Sequence, residues 1–200
     1  MTNPIHEKVG ETDIYLIDQI MKGRYQPEDT ILDAGCGYGR NLYWFLKNGL
    51  NVYGVDQNAA AITHLRSHLP PHLGKKFQQA DLETLPFDNN YFDHIICSAV
   101  LHFAKNTTHF HEMVAESTRV LKPNGSFFIR MTSDIGIEGR SHPIADGVYQ
   151  IPDGSTRFLL TRTLLAETLD KNKLSFLEPF KTVNVDDLRC MSTLVLTKEN

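Results

Sequence analysis

Residues 30–39 read Thr-Ile-Leu-Asp-Ala-Gly-Cys-Gly-Tyr-Gly, a short apolar strand that ends on an acid and runs into three glycines. Glycine at 35, 37 and 39 lets the backbone turn sharply and lets a ligand approach the main chain. A loop of this kind serves a dinucleotide, a phosphate or another nucleoside. The dinucleotide fingerprint needs glycine at position 40, which is Arg40, and a P-loop needs a closing Gly-Lys-Ser/Thr, which is absent. Asp33 narrows the choice further. A carboxylate just before the loop repels a pyrophosphate and suits a ligand with an ammonium group, such as S-adenosylmethionine. The plainer alternative is a loop whose glycines only permit tight helix–strand packing.

Working outward, strand and helix patterns alternate. Ile14, Ile17, Ile20 and Met21 give helical spacing over 12–24, closed by Pro27. Leu42, Phe45 and Leu46 predict a helix that Asn48-Gly49 ends. Residues 51–56 (NVYGVD) read as a second strand. Ile62, Leu65 and Leu69 line a helix stopped by Pro70-Pro71, and 76–80 and 91–99 read as strands. Phe110, Met113, Val114, Ser117, Val120 and Leu121 form the clearest amphipathic helix. Pro123-Asn124-Gly125 turns into a strand over 126–132, and a helix follows at about 161–172. The runs 176–185 and 189–197 are close enough to pair antiparallel. This order predicts an α/β fold: a parallel sheet covered on both faces by right-handed crossovers. Ligands bind such sheets at the carboxyl ends of the strands, near the switch in strand order.

The chain has 200 residues, 41% hydrophobic and 22% charged, which suits one globular domain and excludes a disordered chain. The longest nearly apolar run, 95–103, is far short of the ~20 residues of a membrane span. Net charge is −4, which argues against a broad nucleic-acid or anionic-lipid footprint. The N-terminal stretch lacks an apolar signal-peptide core. Cys36, Cys97 and Cys190 are odd in number and contain no CxxC pair, so a reducing compartment, the cytoplasm, is expected.

Two more acids fall at strand exits. Asp56 stands where a carboxylate accepts both hydroxyls of a ribose; its alternative is a helix cap, as is that of Asn58. Asp81 is placed to accept an adenine amino group, with the next backbone N–H facing a ring nitrogen; otherwise it is a solvated turn acid.

Taken together, ILDAGCGYG, VYGVD, QADLETLPF, FDHIICSAVLHF and LKPNGSFFI resemble the successive motifs of class I S-adenosylmethionine-dependent methyltransferases, over about residues 30–130. Residues 35–58 (GCGYGRNLYWFLKNGLNVYGVDQN) are similar to the tellurite-resistance branch of that superfamily. The resemblance implies a Rossmann-like seven-stranded mixed sheet, order 3-2-1-4-5-7-6, with helices on both faces. It implies one domain over 1–200, with an N-terminal helical cap over 1–28. It assigns S-adenosylmethionine to Asp33, Ala34, Gly35, Cys36, Gly37, Asn41, Asp56, Gln57, Asp81, Leu82 and Ser98.

Methyl transfer from a sulfonium is an in-line displacement; the enzyme aligns the nucleophile, excludes water and in some cases removes a proton. Ser98 and His102 are the catalytic candidates at the exit of the fourth strand. His102 is either a general base or a pocket-shaping hydrogen bonder. With Phe103 it is also expected at the acceptor. Arg130 either holds an anionic acceptor or forms a structural ion pair. Residues 134–157 carry four glycines and two prolines without periodicity and are expected to form a substrate lid; the alternative is a mobile surface insertion. Arg140, His142, Tyr149 and Arg157 would select the acceptor from there. His64, His68 and His72 lack a third ligand at a recognised zinc spacing, so no metal is expected. The acceptor is expected to be a small molecule. Neither Asn-Pro-Pro-Tyr, the mark of amino-methylating DNA enzymes, nor a Pro-Cys nucleophile is present, and three scattered cysteines do not suggest arsenic chemistry. The competing class is a non-catalytic nucleoside-binding module on the same fold; Asp33 and Arg40 disfavour an NAD-dependent oxidoreductase.

Overall fold

Thr30–Ala34 (β1) is buried at every position after its first, the pattern of a strand covered on both faces. Its neighbours in the chain follow the same logic in this computed structural model, which describes residues 4–200. Residues 1–3 of the expected N-terminal cap lie outside the described residues.

Two short helices, His6–Val9 (α1) and Ile14–Met21 (α2), precede β1. Tyr43–Lys47 (α3) leads to Asn51–Asp56 (β2). Ala59–His68 (α4) and Pro71–Gly74 (α5) lead to Phe77–Gln79 (β3). Phe92–Ser98 (β4) ends in a tight 3-10 turn, Leu101–Phe103, followed by Thr107–Val120 (α6) and Leu121–Ser133 (β5). Three short strands follow: His142–Ala145 (β6), Val148–Gln150 (β7) and Thr156–Phe158 (β8). Arg162–Asn172 (α7), Leu174–Phe176 (β9), Lys181–Val185 (β10) and Arg189–Lys198 (β11) complete the chain.

The main sheet runs β10-β11-β5-β4-β1-β2-β3. Pairings from β3 through β5 are parallel, and β11 runs antiparallel to both β5 and β10. Numbered by themselves in chain order, those strands give the expected 3-2-1-4-5-7-6. Adjacent residues face opposite sides, as the strand period requires. Ile31, Val52, Ile96, Phe128 and Val195 pack with Leu16, Phe45, Ile62 and Leu65 of α2–α4. Leu32, Val55, Ile95, Phe127 and Leu194 pack with Phe110 and Val114 of α6 and Leu164 of α7.

Two expectations change. The run 176–185 is not one strand: β9 pairs with the end of β11, Pro179 interrupts, and pairing resumes at Lys181, since proline has no N–H for a ladder. Nor is 134–157 irregular. It carries β6 and β7, which pair antiparallel, and β8 continues that small sheet. Asp146-Gly147, with Gly147 at φ 71°, makes the hairpin turn. All of β6 is exposed, so its sequence carries no alternation of apolar and polar positions.

Candidate cofactor and acceptor site

The loop after β1 is shaped by its own backbone. Gly35 N and Cys36 N donate to Val55 O at 2.8 and 2.9 Å, folding the loop back onto β2. Gly35 has φ 84°, and a Cβ there would stand 2.4 Å from a Val100 methyl. Gly37 has φ 52° with nothing within 4 Å of the Cβ position. Gly37 N donates to Asp56 Oδ2 at 2.7 Å, while Asp56 Oδ1 accepts from Asn58 N at 2.8 Å. A carboxylate offers about four acceptor positions, so these bonds leave capacity on both oxygens. The cap of α4 is Asn58, whose Oδ1 accepts from Ala60 N and Ala61 N. Asp56 is therefore not spent as the helix cap.

Above the loop lies a cavity of about 500 Å³. Gly35, Gly37, Asp56, Gln57, Asp81 and Leu82 line it, the residues of the expected cofactor set that come together. Val100, Lys105, His109 and Met113 also line it and were not anticipated. Phe103, expected at the acceptor, stands on the wall of this cavity too. At its edge Ala99 holds φ 63°, uncommon for a residue with a side chain, and its N–H donates to Arg130 O at 2.7 Å.

Asp33 sits beneath the loop, 1% exposed, and its Oδ2 has no hydrogen-bond partner among the described residues. Burial pushes its carboxyl up to about 7; Arg40 opposes the rise and Asp56 adds to it. A buried carboxylate without a partner is costly. A ligand ammonium beside it would supply the missing counter-charge. The glycine loop, Asp56 and this unpartnered oxygen fit S-adenosylmethionine, which Asp33, Asp56 and Asp81 would hold at its ammonium, ribose and adenine.

Asp33 and the other expected cofactor residues, Ala34, Cys36, Asn41 and Ser98, do not line this cavity. Ala34 and Cys36 are core residues, and burial pushes the Cys36 thiol up, which keeps it protonated. Asn41 Oδ1 accepts from Asp13 N at 3.1 Å, and Ser98 Oγ donates to Asp13 Oδ2 at 3.4 Å. Asp13, the N-cap of α2, also accepts from Arg130 Nη1 at 2.7 Å. Arg130 is thus the structural ion pair of its two alternatives and stacks over Tyr15 at 5.2 Å. Sequence reasoning missed Asp13; the one signal was an acid immediately before a periodic helix.

His102, Arg130 and Arg157 meet at a second cavity of about 200 Å³. His102 Nδ1 lies 3.2 Å from Thr132 Oγ1. Burial, then Arg157 and Arg130, push its pKa down to about 4, so the imidazole is neutral near pH 7. Arg140 instead pairs with exposed Asp187 at 2.8 Å, and His142 is exposed in β6. Tyr149 lines a separate depression with Asp146 and Thr161. The small sheet therefore brings Arg157, and not these three, to the site. Among the described residues no group of three His, Cys, Asp or Glu could hold a metal, and no helix is long and apolar enough to cross a membrane.

Comparison with known proteins places these features in a family. Residues 32–129 match the family model for a methyltransferase domain. A phthiotriol/phenolphthiotriol dimycocerosates methyltransferase of Mycobacterium leprae is 35% identical over 99 residues, covering 48% of this chain and 34% of that protein. The methyltransferase YodH of Bacillus subtilis, itself uncharacterized, is 31% identical over 107 residues, covering 53% of this chain and 44% of that one. The chain thus spans less than half the length of these curated relatives. A solved S-adenosylmethionine-dependent methyltransferase from Methanosarcina mazei superposes with TM-score 0.73 at 20% identity, covering 90% of this chain and 97% of that one. The Burkholderia thailandensis 1,6-didemethyltoxoflavin-N1-methyltransferase, solved with S-adenosylhomocysteine, gives TM-score 0.69 at 19% identity, over 98% of this chain and 82% of that one. The [4+2]-cyclase SpnF shares the fold at TM-score 0.71 and 17% identity, over 92% of this chain and 81% of that one. Residues 32–129 thus carry a methyltransferase domain, and the chain has the fold of the solved S-adenosylmethionine-dependent methyltransferases.

Proposed function

We propose that the protein transfers the methyl group of S-adenosylmethionine to a small-molecule acceptor. The observation that carries this is the orphaned Asp33 carboxylate beneath a glycine loop whose Gly37 N–H is held by Asp56. When bound, the cofactor supplies a methyl carbon already activated by the positive sulfur. Asp33 neutralises the ammonium, and Asp56 accepts the ribose hydroxyls while fixing the loop. Leu82 and Met113 give the adenine apolar contact, with Asp81 at its amino group. His102, neutral and in hydrogen-bond reach of Thr132, is placed to accept a proton from the acceptor. Ser98 acts indirectly, by orienting Asp13.

Residues 134–157 act as the acceptor lid in this reading. Its support is that the segment is tied down at its far edge: Asp153 N donates to Leu188 O at 3.2 Å, and Arg140 pairs with Asp187. The net charge of −4 favours a small acceptor over nucleic acid. The three cysteines are unpaired and buried, in keeping with the reducing cytoplasm.

Fold alone does not fix chemistry, and a cyclase shares this one. The test is S-adenosylhomocysteine formation with a panel of acids, phenols, amines, thiols and chalcogen oxyanions, the last because of the resemblance of residues 35–58. Turnover with one acceptor class supports the proposal. Tight S-adenosylmethionine binding with no turnover across the panel supports a non-catalytic binding module instead.

A further inference from the structure

The smaller cavity has an electrostatic character of its own. Three guanidinium groups line it, from Arg130, Arg157 and Arg189, with Asp153, His102 and Thr132. Arg130 is matched by Asp13 at 2.7 Å, yet its Nε is buried with no acceptor. Arg189 reaches Asp153 only at 3.8 Å, and that carboxylate already accepts from Ser155 N and Oγ. Among the described residues, no carboxylate lies within ion-pair distance of Arg157; its Nη1 donates to the Thr156 carbonyl. The guanidinium packs over the Phe103 ring at 5.3 Å. His102 adds no charge while neutral. The cavity therefore carries about one uncompensated positive charge, held against Phe103.

Phe103 forms the wall of the larger cavity and His102 the wall of the smaller, so one tight turn separates the two. About 200 Å³ falls below the usual 300–1,000 Å³ of a drug-sized site, so the space suits a small acidic group and not a whole large ligand. With Arg157 Nη1 engaged by Thr156 O, its Nε and Nη2 edge can match a carboxylate through two parallel N–H···O bonds. One net positive charge calls for a monoanion.

Resting on the methyl-transfer reading, we infer that this cavity is the acceptor's anion subsite and that the acceptor is a small molecule bearing a carboxylate, gripped by Arg157 with Arg189 in support. Arg130 positions the floor through Asp13. Arg157 is a specificity-determining residue, absent from the cofactor cavity.

The test uses the full chain saturated with S-adenosylhomocysteine and titrated with acetate, propionate and benzoate, each against its primary amide. At least one carboxylate should bind saturably and about tenfold or more tighter than its amide. Arg157→Gln should lose about tenfold in that affinity and Arg157→Lys part of it, since lysine keeps the charge and loses the fork. Arg189→Gln should lose less, because Asp153 already engages Arg189. Calorimetric binding of S-adenosylhomocysteine and the melting temperature of each variant report whether the fold and cofactor site survive. If S-adenosylhomocysteine binds and no carboxylate is preferred to its amide, or if Arg157→Gln binds the carboxylate unchanged, the subsite is refuted while methyl transfer stands. If S-adenosylhomocysteine itself fails to bind the unmodified protein, the methyl-transfer reading falls, and the subsite with it.

Discussion

Arg130 Nη1 donates to Asp13 Oδ2 across 2.7 Å, joining the exit of β5 to the N-cap of α2, 117 positions earlier in the chain. Asp13 has 1% of its side chain exposed, and the same oxygen accepts from Ser98. This carboxylate docks the N-terminal helix on the sheet beside the site.

Asp13→Ala removes one partner of a buried pair and leaves Arg130 uncompensated. Such breaks cost 3–5 kcal/mol; because Arg130 keeps some exposure, about 3 kcal/mol is expected. For a domain of this size that lowers the melting temperature by roughly 6–12 °C. A calorimetric melt checks it, and a shift within about 2 °C would show that the pair contributes little.

Asp33 gives the unliganded protein a pH dependence of definite sign. Its folded pKa is raised from 3.8 to about 7. The folded state holds this proton more tightly, so the contribution to stability is complete below about pH 4 and is lost as pH rises toward 7. Denaturant unfolding across that window should show the decline, and Asp33→Asn should flatten it. S-adenosylmethionine affinity should move the other way, rising about tenfold from pH 6 to 8 as Asp33 ionises. Asp33→Asn should abolish that rise.

Two glycines of one loop should respond differently to alanine. Gly37→Ala meets no atom and carries only the left-handed strain of φ 52°, about 1–2 kcal/mol. Gly35→Ala adds a 2.4 Å approach to Val100 at the cavity wall. It should lose more stability than Gly37→Ala and more than about tenfold in cofactor affinity. Parallel melts and titrations of both variants check the order.

Shortening residues 142–150, the β6–β7 hairpin, should change acceptor KM and kcat while cofactor affinity stays within about twofold. Loss of cofactor binding with acceptor preference retained would contradict the lid assignment.

What the sequence reveals here is what lies close along the chain. β1, its glycines and the acids at the exits of β2 and β3 are each fixed by neighbouring residues, so the loop and the alternation of strands and helices could be read directly, while the strand order came only with the family resemblance. The Asp13–Arg130 pair could not, because it depends on how α2 packs over a sheet completed a hundred residues later. β6–β8 were hidden for another reason: strands of three or four residues, largely exposed, show no period. That hidden sheet puts Tyr149 in a separate depression and brings Arg157 to the smaller cavity, so the proposed acceptor side was the least legible part. Pro179 shows the reverse case, a local signal whose consequence for the last hairpin was overlooked.

Calorimetric titration with S-adenosylmethionine and with NADH, on the unmodified protein and on Asp56→Ala, tests the central claim most directly. The account predicts a single S-adenosylmethionine site, no NADH binding, and a loss of at least about tenfold, or 1.4 kcal/mol, in Asp56→Ala. NADH binding at that site, or S-adenosylmethionine affinity unchanged in Asp56→Ala, would contradict it.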